Sequence, residues 1–150
     1  MLLTLRRQQS DLRKTLKDAE TVLVKAGELE LSGTNDIRAQ LVAQLKIYTQ
    51  FKHQVVFPPL LASPDPLIAQ LAAQMKGRCD AVAKLYTSYI TEWPPARIIE
   101  QRALFRGVAL DIIGRLRQHL VREEADVERL TARSAPTTRL TAEPRARTGF

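Results

Sequence analysis

The sequence is poor in the residues from which most catalytic and metal centres are built. Its 150 residues include one cysteine, two histidines and only 5% aromatic residues. The single Cys79 excludes an internal disulfide, and a reduced thiol is typical of the cytoplasm, which is the expected location. The sequence has no phosphate-binding glycine loop, CxxC pair or HExxH motif, so we predict that the protein is not an enzyme.

Long apolar runs are also missing, because charged residues interrupt every apolar stretch, and no membrane span is expected. Met1–Leu3 leads directly into Arg6 and Arg7, so a signal peptide is not expected there either. Leucine, alanine, glutamine and arginine are abundant instead, which favours helices over sheets. A length of 150 residues fits a single domain with a sizeable core.

The net charge of +7 is spread along the chain rather than gathered in one motif. A concentrated basic patch would indicate nucleic acid, anionic lipid or an acidic partner. No helix-turn-helix spacing, zinc-finger pattern or interleaving of aromatic and basic residues accompanies these charges. The pattern therefore favours a solvated basic surface over a nucleic-acid site.

Four segments carry apolar residues at alternating steps of three and four, the pattern of amphipathic helices. The first stripe is Leu2, Leu5, Gln9, Leu12, Leu16, Ala19 and Leu23. The second is Ile37, Leu41, Leu45, Tyr48, Lys52 and Val55. The third is Leu67 or Ile68, Leu71, Met75, Cys79, Val82, Tyr86 and Tyr89. The fourth is Phe105, Val108, Ile112, Leu116, His119, Glu123 and Val127.

Turn-forming residues predict the ends of the first two helices. Gly27 and the cluster 32–35 are expected to end the first helix. Thr34, Asn35 or Asp36 is expected to cap the second. Pro58-Pro59 is expected to stop the second helix, because proline removes a backbone donor and disfavours helix in the residue before it.

The later boundaries are predicted in the same way. Asp65 is a suitable cap, with Pro66 at the first position of a third helix that runs to about Thr91. Residues 93–95, Trp-Pro-Pro, break the chain again. The fourth helix is expected from near Ile98 to about Arg133.

These helices predict an all-α fold, an up-down-up-down antiparallel four-helix bundle, because short links between amphipathic helices favour one shared core. The domain is assigned to residues 1–133. Residues 134–150 lose the apolar period in favour of proline, threonine and arginine, and we predict a basic, disordered tail there.

Polar residues interrupt the stripes at positions that face the core. Gln9 lies between Leu5 and Leu12 in the first stripe. Tyr48 and Lys52 form one pair four residues apart, and His119 and Glu123 form another. Residues at this spacing project from one helix face, and bundle metal sites are built from such inward-pointing side chains.

Two segments resemble the hemerythrin-like (HHE cation-binding) family. The stretch LKIYTQFKHQVVFPPL, residues 45–60, is similar to the second-helix signature, in which a His, a Glu four residues later and an aromatic-Pro ending follow one another. The stretch RLRQHLVREEADVERL, residues 115–130, resembles the fourth-helix counterpart. The likeness extends over roughly residues 3–130 and includes the DP-containing link and the Trp-Pro ending of a bacterial branch.

The resemblance implies a di-iron site in which most ligand positions have been replaced. The first-helix His position falls at Gln9, and the second-helix His and Glu positions fall at Tyr48 and Lys52. His119 and Glu123 match the family pattern and are the candidate metal ligands. The third helix offers Met75 and Cys79, which we assign to core packing.

A lysine at a ligand position would repel a metal cation and can replace it instead. We therefore expect Lys52 to pair with Glu123, with Gln9, Tyr48 and His119 completing a polar network. His53 lies one residue from the inferred ligand position and is expected to face sideways. The alternative is that His119 and Glu123 are an ordinary, partly exposed pair, and that Glu123-Glu124 with Asp126 and Glu128 is a solvated acidic end of the helix.

Three functions remain open from the sequence. The first is a non-enzymatic regulatory or protein-interaction domain without a cofactor, with a protein partner or a second copy of itself. The second is an oxygen or nitric oxide sensor, or an iron store, that binds mononuclear or di-iron centres through a partial site. The third is a basic adaptor for nucleic acid or an acidic protein, marked by binding that falls steeply with salt.

Overall fold

A computed structural model describes the backbone of residues 1–25 and 31–148, and the side chains of 1–25 and 31–134. Within these residues the chain is all-helical, with no strand. Its elements are α1 (Leu2–Val24), α2 (Leu31–Phe51), a π-helical turn (Lys52–Val56), α3 (Phe57–Leu61), α4 (Pro66–Glu92), α5 (Pro95–Glu100) and α6 (Arg102–Thr148). The predicted fold class, all-α, is confirmed.

α1 buries the stripe that its sequence predicts. Leu5, Gln9, Leu12, Leu16, Ala19 and Leu23 are all buried. The helix ends at Val24, and the predicted terminator Gly27 lies outside the described residues. The three-four spacing alone therefore identifies the inward face of this helix.

α2 begins earlier than predicted. Its first residue is Leu31, so the expected caps Thr34, Asn35 and Asp36 lie inside the first turns of the helix. Thr34 is buried there. Tertiary packing of an amphipathic face outweighs the weak helix propensity of this polar cluster.

Pro58-Pro59 does not stop the second helical segment. The chain passes from α2 through the π turn into α3, and the Phe57 N–H bonds to the carbonyl of Lys52, five residues back. The extra residue of a π turn rotates the following side chains around the helix axis. Val56 is therefore fully buried, while Val55, the predicted stripe residue, is 43% exposed.

The start of α4 is as predicted. The Asp65 carboxylate accepts a hydrogen bond from the Leu67 N–H at 3.0 Å, and Pro66 occupies the first helical position. The helix ends at Glu92, one residue from the predicted end, with Trp93 as its C-cap. A side-chain cap thus fixes the start of the helix, and Pro94, which disfavours helical conformation at Trp93, fixes its end.

The predicted fourth helix is two helices. α5 and α6 are separated at Gln101, whose φ of −127° and ψ of 51° are not helical. Arg97 holds this corner, because its guanidinium stacks 4.0 Å from the Trp93 ring and donates to Gln101 Oε1 at 3.0 Å. α6 then runs to Thr148, past the end near Arg133 that the sequence predicts. The assignment of residues 134–150 to a separate tail stays a prediction.

The long helices pack in neighbouring pairs. α1 packs on α2 and on α6, α4 packs on α6, and α3 packs on α4. The chain thus changes its packing partner at the π turn, from α1 before it to α4 after it. Among the described residues, no helix combines the length and hydropathy that crossing a membrane requires.

Candidate functional site

The polar residues that interrupt the stripes meet in the middle of the protein. Gln9 comes from α1, Tyr48 from the last turn of α2, Lys52 from the π turn, and His119 and Glu123 from α6. Four of these five side chains are buried, and His119 is 13% exposed. The helical spacing of each pair turns both of its members to the same side. The structure therefore brings together all five residues that the sequence singles out.

Glu123 is the centre of this group. Lys52 Nζ lies 3.1 Å from its Oε1 and 3.0 Å from its Oε2, and both side chains are only 2% exposed. The Tyr48 hydroxyl donates to Oε1, and His119 Nε2 lies 3.4 Å from Oε2. A buried carboxylate is tolerated only when its charge is matched and its oxygens are hydrogen-bonded. Both conditions are met here.

The tyrosine extends the network to α1. Gln9 Nε2 donates to the Tyr48 hydroxyl at 3.1 Å, and that hydroxyl in turn donates to Glu123. The Lys52 ammonium also lies 4.0 Å from the centre of the Tyr48 ring, close enough for a cation–π contact. Tyr48 therefore supports the lysine through its ring and the glutamate through its hydroxyl.

The network holds Glu123 in its ionised form. Burial raises the pKa of this carboxyl, but the bond with His119, the charge of Lys52 and the bond from Tyr48 together lower the pKa to about 2. Burial, the charge of Glu123 and the hydrogen bond to it all raise the pKa of Tyr48 far above its usual value. The centre thus holds a carboxylate and a neutral phenol at neutral pH.

The two histidines have different surroundings. His119 lies in the network, whereas His53 is half-buried beside α4, with Nε2 3.3 Å from Asp80 Oδ1 and 3.8 Å from Cys79 Sγ. Burial raises the pKa of the Cys79 thiol. The thiol is therefore neutral and weakly nucleophilic, which does not suit catalysis. Met75 and Cys79 are both buried in the core.

The residues at this centre do not fit a metal ion. His119 and Glu123 supply two donors, and both carboxylate oxygens of Glu123 already accept hydrogen bonds from the ammonium of Lys52. Iron and zinc sites use three or more donors and are not built beside a fixed cation. Among the side chains described, no three His, Cys, Asp or Glu residues are close enough to hold a metal together.

A second buried carboxylate was missed in the sequence. Asp126, assigned there to a solvated acidic end, is buried and paired with Arg78 of α4, while Arg129 Nη1 lies 3.7 Å away. That prediction was wrong for Asp126, because the residue follows Glu123 by three and so shares its inward face. The three-residue spacing from Glu123 is the sequence feature that could have identified Asp126 as inward-facing.

Comparisons with known proteins give no further assignment. No family model, curated protein or solved structure matches this chain. The centre must therefore be interpreted from its own geometry.

Proposed function

We propose that this protein is a hemerythrin-like helical bundle in which the ammonium of Lys52 takes the place of the metal, and that it works as a non-enzymatic regulatory or protein-interaction domain in the cytoplasm. The observation that supports it best is the pair of hydrogen bonds from Lys52 to both oxygens of Glu123. A carboxylate that would otherwise bind a cation is thereby neutralised by a side chain.

The positions of the residues support this substitution. The resemblance to the family places ligands at Gln9, Tyr48, Lys52, His119 and Glu123, and these five side chains form one contiguous network. Each substituted residue can hydrogen-bond at a place where a ligand would bind metal. The fold can then keep its polar centre without a metal ion.

The helix contacts support an antiparallel, up-down-up-down arrangement. We assign its four members to α1, α2 with the π turn and α3, α4, and α6. The contacts α1–α2, α3–α4, α4–α6 and α6–α1 link these members in a closed ring. Such a ring is the order in which consecutive helices of an up-down bundle meet.

The state of the buried acidic groups at this centre supports a non-enzymatic role. Glu123 has both oxygens engaged, Tyr48 has a raised pKa, and the neighbouring Cys79 has a raised pKa as well. General acid–base catalysis needs a group that titrates near the working pH and reaches a substrate. A regulatory domain has no such requirement.

Metal analysis of protein purified from iron-replete cells tests the proposal. We expect iron far below one atom per chain and an unchanged denaturation midpoint when a chelator is added. Stoichiometric iron with an oxo-bridged charge-transfer band would refute the proposal and favour the sensor or store.

A restoration variant tests the placement of the ligands. Gln9→His, Tyr48→His and Lys52→Glu together would give three histidines and two glutamates with His119 and Glu123. We expect this variant, and not the wild type, to bind Co²⁺ or iron tightly and to be stabilised by it. The same triple change with Glu123→Leu is the matched control, and equal metal binding by both variants would contradict the assignment.

A further inference from the structure

A cavity of about 370 Å³ lies beside the polar network, between α2 and the second half of α4. Leu12 and Leu16 of α1 and Leu116 and Leu120 of α6 contribute to its lining. Small-molecule sites of proteins span about 300–1,000 Å³ and occur between the helices of bundles. The volume is therefore that of a site for a small organic molecule.

The cavity exists because two helices stay apart. In the described part of the chain, α2 packs on α1 and α3 packs on α4, whereas the backbones of α2 and α4 make few close approaches. Apolar residues of both helices, including Leu45 and Val82, line the resulting gap. The change of packing partner at the π turn thus opens the space, and π turns are frequent at functional sites.

The lining is mainly hydrocarbon with a polar wall at one side. Tyr48, Lys52 and His119 of the network all line the cavity, and Cys79 and Thr49 lie beside them. Apolar cavities favour apolar ligands, and a few convergent polar groups fix a ligand's orientation. The cavity therefore suits a molecule with a hydrocarbon body and one polar group.

The polar wall carries no net charge from its buried ion pair, which favours an uncharged ligand. Lys52 is buried in the wall, and its ammonium is already neutralised by Glu123 at 3.0 Å. An anion or a cation held against this wall would find no free counter-charge in the Lys52–Glu123 pair and would lose its hydration, and Lys46, the other lysine of the lining, is exposed to solvent. An uncharged hydroxyl or carbonyl can instead share hydrogen bonds with the polar side chains.

We propose that this cavity binds a small uncharged amphiphile, a hydrocarbon chain or ring system with a single hydroxyl or carbonyl group placed against the wall of Tyr48, Lys52 and His119. Binding there would couple a small molecule to the distance between α2 and α4, which is a means of regulation. The inference uses only the cavity and the ion pair, so it does not depend on the family resemblance or on the metal content.

Fluorescence of N-phenylnaphthylamine, an uncharged apolar probe, tests the site on the full chain. We expect the emission to rise on binding to the wild type. Ala83→Phe places a ring in the cavity from α4, and Val42→Phe does so from α2. Each variant is expected to weaken binding about tenfold or more, while its circular dichroism shows that it is folded. The two substitutions lie on different helices, so the test can still be made with one variant if the other does not fold.

Ala81→Phe is the matched control, since Ala81 is an exposed residue of α4 outside the cavity lining. It should bind the probe as the wild type does. Absence of probe binding by the wild type, or equal binding by the cavity-filling variants and the control, would overturn the proposal.

Competition with three molecules of equal chain length tests the ligand's charge. Octanol should displace the probe at concentrations about tenfold or more below those of octanoate and octylammonium, because only the charged competitors lose hydration without a counter-charge. Displacement by octanoate at equal or lower concentration would overturn the assignment of an uncharged ligand and would indicate an anion site near Lys46, which lies exposed at the cavity.

Discussion

The ion pairs Lys52–Glu123 and Arg115–Asp111 each join a basic side chain to a carboxylate at a distance of 3.0 Å. Their surroundings are opposite. The side chains of the first pair are 2% exposed, and those of the second are 57% and 63% exposed. Water screens the charges of the second pair, whereas neither charge of the first can be hydrated. We therefore expect an equal distance to have very different consequences for stability.

The difference identifies what the buried pair does. An exposed pair can be removed at little cost, because each partner returns to water. In a buried pair, each residue is tolerated only when the other is present, because either one alone is an unmatched charge in the core. We therefore expect Lys52 and Glu123 to stabilise the fold as a pair and not one by one.

Lys52→Met should have the largest effect. It leaves the Glu123 carboxylate buried without its cation, and we expect a loss of about 3–5 kcal/mol in the free energy of unfolding. Glu123→Leu should cost a similar amount for the opposite reason. The double variant should recover much of the loss, since neither charge remains. Urea denaturation of the four proteins measures this coupling.

Lys76→Met is the matched control, because Lys76 is an exposed lysine of α4. It should change the free energy of unfolding by less than about 0.5 kcal/mol. Losses that simply add in the double variant would show that Lys52 and Glu123 do not stabilise each other.

The sequence predicts this network better than it predicts the backbone around it. The three-four spacing identifies the inward face of α1, because an α-helix has a fixed period. After Lys52 the same spacing predicts the wrong buried residue, because the π turn adds a residue to the helical turn. Val56 is buried there instead of the predicted Val55. Pro58-Pro59 marks the place of a disruption, because neither proline has a backbone N–H to donate four residues back, but the sequence does not specify whether the helix stops or widens into a π turn.

The cavity and the buried Asp126 depend on tertiary structure in the same way. Whether α2 and α4 touch is set by the direction each helix takes, which no local pattern contains. Asp126 looks solvated in a run of acidic residues, and its burial is acceptable because Arg78 from another helix pairs with it. Sequence patterns therefore identify the buried face of each helix, and tertiary packing determines which helix faces are in contact.

Acid should remove the stabilising effect of the buried pair. The pKa of Glu123 is about 2 in the folded state and about 4.5 when unfolded, so its contribution is present above pH 4.5 and is lost as the pH falls towards 2. The full contribution is about 3 kcal/mol, of which about 2 kcal/mol is lost by pH 3. We therefore expect unfolding free energies of the wild type to fall by about 2 kcal/mol more than those of the Lys52→Met, Glu123→Leu double variant between pH 6 and pH 3. Parallel pH profiles for the two proteins would contradict the depressed pKa.

Arg78→Met should have an intermediate effect. Its partner Asp126 is 4% exposed, while Arg78 itself is 25% exposed. We expect a loss of about 1–2 kcal/mol, below that for Lys52, because Arg129 remains 3.7 Å from the same carboxylate. Arg129→Met is the control on that carboxylate, and with 71% exposure it should cost less than about 0.5 kcal/mol. Equal losses in the free energy of unfolding for Arg78→Met and Arg129→Met would mean that burial of the arginine does not determine how much each pair contributes.

Arg115→Met should have the smallest effect. Arg115 Nε donates to Asp111 Oδ2 across one turn of α6, and both side chains are mostly in water. Such pairs contribute about 0.3–0.5 kcal/mol in helices, and salt reduces the value further. A double-mutant cycle with Asp111→Asn, run in urea at low and high salt, measures the coupling. A coupling above about 1 kcal/mol would show that burial does not set the difference between this pair and Lys52–Glu123, since the two share the same distance.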